Sequence, residues 1–294
     1  MVVITTLLRT DDVLLADAHC SATTPEMSDE EIEPGFSVVF PRSGLYVRHV
    51  AGERVVANPA VALFFNRHEV QRTSHPNGSG DRSVLFSLSR RFVAPFLNPR
   101  TGSFPLRAKT TTGTMDMTIR LLVRDSTRGY ATPLDLEERT LRILRSLLGN
   151  AKPGAPHSRH QGSVVADAQE YLTDHFADDS DLQTVAREVG SSPHHLSRLF
   201  HSVTGTTMSA YRTQLRIRAA VAQLSGGASD VSRVAVEVGV YDHAHRANTI
   251  RRHLRSTPTA IRFALRPMPL GEPGIDLIGP SRPEPLGPWS SRAR

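Results

Sequence analysis

The chain has 294 residues and a formal charge of +6, and 39% of its residues are hydrophobic, which allows two compact domains. It has no apolar run of about 18 residues and no basic start followed by an apolar block, so neither a membrane span nor a signal peptide is expected. The single cysteine, Cys20, excludes an intrachain disulfide framework and a zinc site built from several cysteines, and it fits the reducing cytoplasm.

The first part of the chain is predicted to consist of short strands separated by turns. Runs rich in Val, Phe, Leu and Tyr alternate with Pro-Gly, Ser-Gly, Asn-Pro and Asn-Gly turn signals. The predicted strands are 36–40, 44–50, 54–56, 61–65 and 83–88. Strands of this length and spacing favour a small antiparallel sandwich or barrel.

Two helices are predicted after the strands, at 114–124 and 134–148. Pro133 suits the first turn of the second helix, whose predicted apolar stripe is Leu134, Leu141, Leu144 and Leu148. The predicted division of the chain is a domain at 1–149, a Pro- and Gly-containing linker at 150–163, a helical domain at 164–266 and a tail at 267–294. The tail has seven prolines and four glycines and is expected to be disordered.

An internal repeat marks the predicted helical domain. Residues 185–190 read Val-Ala-Arg-Glu-Val-Gly and residues 234–239 read Val-Ala-Val-Glu-Val-Gly. In each copy a short amphipathic helix stops at a glycine, Gly190 or Gly239, which can adopt the left-handed conformation. Two short helices joined by a tight glycine turn are the helix-turn-helix pattern. The repeat therefore predicts two such units, joined by a long helix at 207–224.

The first copy has helix signals at each expected place. Ser180 and Gln183 suit a capping box, and Ser192 and Pro193 suit the start of the next helix. The predicted apolar stripes are Leu182, Val185, Ala186 and Val189 in one helix and Leu196, Leu199, Phe200 and Val203 in the next. The residues off the second stripe are predicted to face a DNA groove, and they are His194, His195, Ser197, Arg198 and His201.

The second copy and the local charge extend this prediction. Asp230 and Asp242 are the expected helix caps, and Thr257-Pro258 is expected to open a last short helix. Residues 196–266 contain 11 Arg against three acids, a balance of +8, so the positive charge of the chain lies in this segment. Such a localised positive field favours a polyanionic partner.

A set of residues in this region has the order and spacing of a known family. They are Ser192, Leu196-Ser197-Arg198-Leu199-Phe200, Thr204-Gly205, Tyr211, Arg216-Ile217, Ala220, Val234-Ala235, Gly239, Asp242 and Thr257-Pro258. On these residues the segment 181–262 resembles the DNA-binding domain of the AraC/XylS family of transcription regulators. The resemblance implies a cytoplasmic regulator, an activator in most members, that binds promoter DNA and works with RNA polymerase.

The resemblance also implies which residues contact DNA. In the first unit His194, Ser197 and Arg198 would read bases, and Arg198 would bond guanine or a phosphate. In the second unit the candidates are His243, Ala244, His245, Asn248, Arg251 and Arg252. This unit departs from the family pattern at Arg246, Asn248 and Arg255, which argues against base reading: either its helix is rotated or shortened, or it contacts mainly the DNA backbone.

For the first domain the resemblance implies a cupin-like barrel, followed by helices that form a homodimer, with a small-molecule effector inside the barrel. Phe40, Tyr46 and Phe64 are candidate pocket residues, and an ordinary packed core explains them equally well. The barrel stretch has His49, His68, Glu69 and His75 but lacks the His-x-His of metal-binding cupins, so no metal, cofactor or catalytic residue is predicted. The alternatives are a cupin-type metalloenzyme with an added nucleic-acid module and a partner-binding scaffold.

Overall fold

The computed structural model describes residues 2–21, 24–149, 157–226, 231–239, 260, 261 and 265. The strands are β1 Val2–Arg9, β2 Val13–Cys20, β3 Glu31–Ile32, β4 Phe36–Ser43, β5 Tyr46–Val50, β6 Glu53–Ala57, β7 Val61–Phe65, β8 Val70–Ser74, β9 Asp81–Leu88 and β10 Ala108–Thr110. The helices are α1 Arg90–Val93, α2 Gly113–Thr127, α3 Pro133–Leu148, α4 Arg159–Asp174, α5 Leu182–Glu188, α6 Pro193–Thr204, α7 Met208–Ser225 and α8 Val231–Glu237.

The strands form two antiparallel sheets. One sheet has the order β1-β2-β9-β4-β7-β10 and the other has the order β3-β8-β5-β6. All five predicted strands are present, and five further strands, β1, β2, β3, β8 and β10, were not predicted. The structure confirms the predicted α+β class, in which a small antiparallel sandwich and two helices precede a helical C-terminal region.

Strand β7 lies between two hydrophobic cores, and all five of its residues are therefore buried. Ala62 and Phe64 point to one side, where they pack with residues of α2 and α3. Leu63 and Phe65 point to the other side, where they pack with the second sheet and with the helices α4–α7. Because alternate residues of β7 pack into two different cores, every residue of 61–65 is buried, which explains why this segment is apolar without a break.

Helix α3 starts as predicted but buries a different face. The Thr132 hydroxyl accepts a hydrogen bond from the Asp135 amide, and the Asp135 carboxylate accepts one from the Thr132 amide, which completes a capping box with Pro133 at the first position. The predicted stripe is wrong at Leu134, which is 66% exposed. The buried face is set by Leu136 and Ile143 instead, and Leu134 lies about 200° around the helix from Leu136.

The first predicted helix-turn-helix unit is formed by α5 and α6. Gly190 and Gly205 have φ of 63° and 71°, and Ser192 caps α6, all as predicted. The cap of α5 is Asp181 rather than Ser180, because the Asp181 carboxylate accepts the Thr184 amide at 2.8 Å. Two stripe residues are also exposed, Leu182 at 41% and Val203 at 40%, since each short helix buries only a narrow face.

The second unit is described over its first helix only. In α8 and the turn after it, Val234, Ala235 and Val238 are buried as expected. Gly239 has a φ of 78°, and a Cβ there would overlap the carbonyl oxygen of Ala177. A glycine is required at this turn for both reasons. The predicted helix 243–254 and the tail 267–294 lie outside the described residues.

Helix α4 begins inside the predicted linker, so residues 159–163 are helical. Its start is fixed by a capping box between Ser158 and Gln161, a signal that the sequence reading did not use. Among the described residues, no helix is both long enough and apolar enough to cross a membrane.

Candidate nucleic-acid interface

Helix α6 has an apolar face that is fully packed. Leu196 and Phe200 are completely buried, and Leu199 is 6% exposed. The Phe200 ring meets the Tyr211 ring of α7 edge to face, with centroids 5.4 Å apart. These side chains belong to the same core as β7, so the rotation of α6 about its axis is fixed by packing.

The opposite face of α6 carries the residues that the sequence predicted for DNA contact. His194, His195, Ser197, Arg198 and His201 are all exposed. They lie on one helix, within two turns, and no described segment covers them. The six predicted residues of the second unit, His243, Ala244, His245, Asn248, Arg251 and Arg252, lie outside the described residues.

Arg198 differs from Arg212 and Arg216 in the hydrogen bonds and ion pairs that its guanidinium makes. Within the part of the chain that the structure describes, it takes part in none of the ion pairs and none of the hydrogen bonds found. Arg212 donates to the Ser180 carbonyl at 2.6 Å, and Arg216 donates to the Phe176 carbonyl at 2.6 Å. Arg198 therefore presents its guanidinium donors to solvent, where an incoming oxygen acceptor can reach them.

The strand sandwich packs against the inner side of the first unit. Arg54 of β6 pairs with Asp167 of α4 at 2.6 Å, and Thr110 donates to the carbonyl of Thr204 at the end of α6 at 3.1 Å. Asn58 donates to the Tyr211 hydroxyl at 2.7 Å. We name this contact zone, where β6, β7 and β10 meet α4–α7, the junction. It leaves the polar face of α6 uncovered.

Burial raises the pKa of Tyr211 to about 12, so its phenol stays neutral. A neutral phenol can accept the Asn58 amide and donate back to the Asn58 oxygen, at 3.1 Å. The Gln169 amide also donates to this hydroxyl, at 3.1 Å. Tyr211 thus satisfies polar groups from both sides of the junction.

The three candidate pocket residues are all in packed cores. Phe40 and Phe64 share the core covered by α2 and α3, whereas Tyr46 belongs to the core at the junction. Two surface cavities of about 430 and 450 Å³ are formed by described residues, and none of these three rings lines either one. The structure therefore brings Phe40 and Phe64 together and separates Tyr46 from them.

A polar network fills part of the sandwich interior, and the sequence analysis did not find it. The Arg48 side chain is fully buried; it pairs with Glu69 at 2.8 Å, donates to the Phe64 carbonyl at 3.0 Å and bonds to Gln71. Gln71 in turn donates to Glu33 at 3.3 Å. We name Arg48, Glu69, Gln71 and Glu33 the interior network. The two side chains that Arg48 contacts directly, Glu69 and Gln71, lie 21 and 23 residues away in the sequence, so no local pattern marks them.

Burial raises the pKa of Glu33 to about 7, against the opposing effects of the Arg48 charge and a hydrogen bond from Ser37. Glu33 is 2% exposed. Near neutral pH this carboxyl is therefore close to its midpoint of protonation. It is the one part of the interior network whose charge changes in that range.

The residues expected of a metal-binding cupin are not assembled. His49 bonds to the Ser74 hydroxyl at 3.0 Å, and Glu69 pairs with Arg48 and Arg107. His68 is exposed with a φ of 66°. His75 was expected at the surface or in a turn; it does open the turn 75–78, but its side chain is buried, at 7% exposure, and bonds to Asp81 at 3.0 Å.

Comparison with known proteins supports the helix-turn-helix prediction. Residues 185–263 match the family described as "Helix-turn-helix domain". The arabinose operon regulatory protein of Salmonella typhimurium is 32% identical over 101 residues, which are 34% of this chain and 36% of that protein. The regulatory protein SoxS of Escherichia coli is 26% identical over 106 residues, which are 36% of this chain and 98% of that protein.

The chain spans less than half of the length of the arabinose regulators that it matches. Among solved structures, ToxT from Vibrio cholerae covers 87% of this chain and 99% of its own, at 10% identity and a TM-score of 0.35. That score is too low to support a statement about function. The matched segment, the two turn glycines and the packed and exposed faces of α6 agree with one another. The C-terminal region of this chain, at residues 185–263, is a helix-turn-helix domain of the AraC type.

Proposed function

We propose that this protein is a sequence-specific DNA-binding transcription regulator. The observation that carries the proposal is the division of α6 into a packed apolar face and an exposed polar face with Arg198 at its centre. The named relatives of its C-terminal domain are regulatory proteins. No catalytic role is proposed for any residue.

In this mechanism α6 enters the major groove with its polar face toward the base edges. Arg198 donates two bonds to guanine O6 and N7, or to a phosphate, and His194 and Ser197 donate or accept single bonds. A bidentate contact to one base contributes about 1–3 kcal/mol of discrimination. The packed core behind α6 holds these donors in place, so less ordering entropy is lost on binding.

The second unit is proposed to contact the next major groove, about 34 Å along the duplex. Its contacts would come from His243, Ala244, His245, Asn248, Arg251 and Arg252. The departures at Arg246, Asn248 and Arg255 favour a role in backbone contact over base reading, because phosphate contacts tolerate a wider range of side chains.

The sandwich domain is proposed to control the DNA-binding domain in response to a small molecule or a partner. Its packing against α4–α7 at the junction supports this role, since a change in the sandwich would reach α6 through shared side chains. Tyr130, just before α3, and Leu134, in its first turn, are 70% and 66% exposed and are the proposed contacts of a homodimer. Activation through RNA polymerase in the cytoplasm completes the proposal.

The test is binding of the full chain to duplex DNA. Repeated selection from a random duplex library defines the preferred sequence, and fluorescence anisotropy then measures affinity against a scrambled duplex. Arg198→Ala is expected to weaken binding to the preferred duplex about 5- to 150-fold, which corresponds to 1–3 kcal/mol.

Arg142→Ala is the matched control, because it removes the same charge from the exposed face of α3. It is expected to change the affinity by less than about twofold, as surface ion pairs contribute little. The proposal is rejected if the full chain selects no duplex at low salt, or if both substitutions weaken binding equally.

A further inference from the structure

Three side chains that can bind a metal ion converge at one end of the sandwich. They are Cys20 at the end of β2, Asp81 at the start of β9 and His75 in the loop after β8. One ligand atom of each lies within 4.8 Å of the ligand atoms of the other two. His75 Nε2 is 3.0 Å from Asp81 Oδ1. His75 and Asp81 are buried, and Cys20 is partly exposed, so the group is reachable from one side.

The backbone holds this group together. Cys20 and Asp81 are directly paired across β2 and β9 in the register of the sheet. A Cβ on Gly80 would overlap the Cys20 carbonyl oxygen, so the chain approaches Cys20 as closely as it can just before Asp81. The His75 ring also lies 6.0 Å from the Tyr46 ring, centroid to centroid. The positions of the three ligands are therefore set by the fold rather than by flexible surface side chains.

Further contacts orient the ligands as they do in known metal sites. The Ser83 hydroxyl donates to the second Asp81 oxygen at 3.0 Å, which leaves Oδ1 directed at His75. Carboxylates and histidines that bind metals are commonly fixed by such outer hydrogen bonds. The cluster is also separate from the interior network, since none of its three members belongs to that network.

The ligand types select the class of metal. A thiolate, an imidazole and a carboxylate suit zinc, at bond lengths of about 2.3, 2.0 and 2.1 Å in a tetrahedral site. Ligand atoms in such a site are about 3.3–3.6 Å apart, as follows from these bond lengths and the tetrahedral angle. The three ligand atoms meet that requirement if the His75–Asp81 distance of 3.0 Å lengthens by a few tenths of an ångström and the other distances, which are at most 4.8 Å, shorten. The hard oxygen-binding cations magnesium and calcium are disfavoured by the sulfur and nitrogen ligands.

We propose that Cys20, His75 and Asp81 form a binding site for a zinc-like divalent cation, with a fourth coordination position open to water. The ion joins the two sheets, because β2 and β9 belong to the six-stranded sheet and His75 follows β8 of the four-stranded sheet. The loop that carries His75 also carries Asn77, whose amide donates to Asp174 at the end of α4 at 3.2 Å. The proposed metal site therefore lies next to the junction.

The test is titration of the reduced full chain with cobalt(II), followed by zinc. Cys20 is the only cysteine of the chain, so a thiolate-to-cobalt charge-transfer band in the near ultraviolet reports this site alone. We expect one cobalt per chain in that band, and we expect added zinc to abolish it. Cys20→Ser is expected to remove the band, and Asp81→Asn and His75→Gln are expected to lower the cobalt affinity by at least about tenfold.

His49→Gln is the matched control, since His49 lies on β5 of the same sandwich and bonds to Ser74 instead. It is expected to leave the band and its midpoint unchanged. Circular dichroism of each variant checks that the fold is retained, and Asp81→Asn keeps the size of the side chain if His75→Gln does not fold. The proposal is overturned if the native chain gives no thiolate band, or if Asp81→Asn and the native chain give the same band at the same midpoint.

Discussion

The interior of the sandwich and the junction each bury one arginine completely, and the two arginines are compensated in different ways. Arg48, inside the sandwich, pairs with the Glu69 carboxylate and lies 4.0 Å from the centre of the Phe65 ring. Arg218, at the junction, donates to the Thr111 carbonyl at 2.8 Å and hydroxyl at 2.7 Å and to Gln214 at 2.9 Å. Its Nε has no hydrogen-bond partner among the described residues.

This difference indicates that the junction is held less tightly than the interior of the sandwich. A buried charge that is paired with a carboxylate costs much less than one held by neutral oxygens alone. Burial lowers the pKa of both guanidinium groups, and for Arg48 a hydrogen bond to the Glu69 carboxylate opposes that effect. The buried charge in the sandwich is therefore compensated by a carboxylate, whereas the buried charge at the junction is compensated only in part. A signal from the first domain would then reach α6 by changing the junction rather than the sandwich.

The largest expected effect is that of Arg48→Met. The substitution leaves the buried Glu33 carboxyl without the Arg48 charge and leaves Glu69 paired with Arg107 alone, and it should lower the free energy of unfolding by about 3–5 kcal/mol. The measurement is urea unfolding followed by circular dichroism. An exposed arginine on α3, replaced in Arg142→Met, is the control. A loss below about 1 kcal/mol for Arg48→Met would show that the network is not held by the charge.

The second effect is a dependence of stability on pH. Glu33 binds its proton more tightly in the folded chain, with a pKa raised from 4.5 to about 7, so it stabilises the fold most below pH 4.5. This contribution is lost as the pH rises through 7, and it amounts to about 3 kcal/mol in total. Glu33→Gln should flatten that part of the profile of unfolding free energy against pH. The same slope in Glu33→Gln and in the surface variant Glu138→Gln would contradict the assignment.

The smallest effect is expected for Arg218→Met. The substitution removes a buried charge that lacks a carboxylate partner, and it leaves only neutral groups behind. The expected loss is about 1–2 kcal/mol, clearly less than for Arg48→Met. Urea unfolding of the two variants in parallel gives the comparison. Equal losses would mean that the junction is as tightly held as the sandwich interior.

The sequence predicted those elements whose signals are local. The five apolar strands, the cap at Ser192, the first-turn Pro133 and the turn glycines Gly190 and Gly205 each depend on a few adjacent residues. β2 was missed because Asp17 and His19 interrupt its apolar run, and β8 because only Val70 is apolar in it. Propensity is a weak guide where pairing to neighbours decides the strand.

For the candidate sites, too, the sequence predicted only what depends on local spacing. The exposed face of α6 follows from helical spacing, so Arg198 and its neighbours could be identified before the fold was known. The interior network and the cluster of Cys20, His75 and Asp81 depend on strand pairing, which brings the Arg48 side chain to Gln71, 23 positions away, and places Cys20 opposite Asp81, 61 positions away. A pairing of Cys20 with Asp81 has no signal in a single sequence.

Most arginines in the described part of the DNA-binding region donate hydrogen bonds within the protein, and this affects how DNA binding depends on ionic strength. Five arginines lie between residues 196 and 239 in the described part of the chain, and Arg212, Arg216 and Arg218 already donate to protein oxygens. Arg233 is paired with Glu237. Each phosphate that a protein neutralises releases counterions and adds about −0.9 to the slope of log K against log salt concentration. This part of the DNA-binding region should therefore displace fewer counterions than its arginine count implies, and its affinity should persist better as salt is raised.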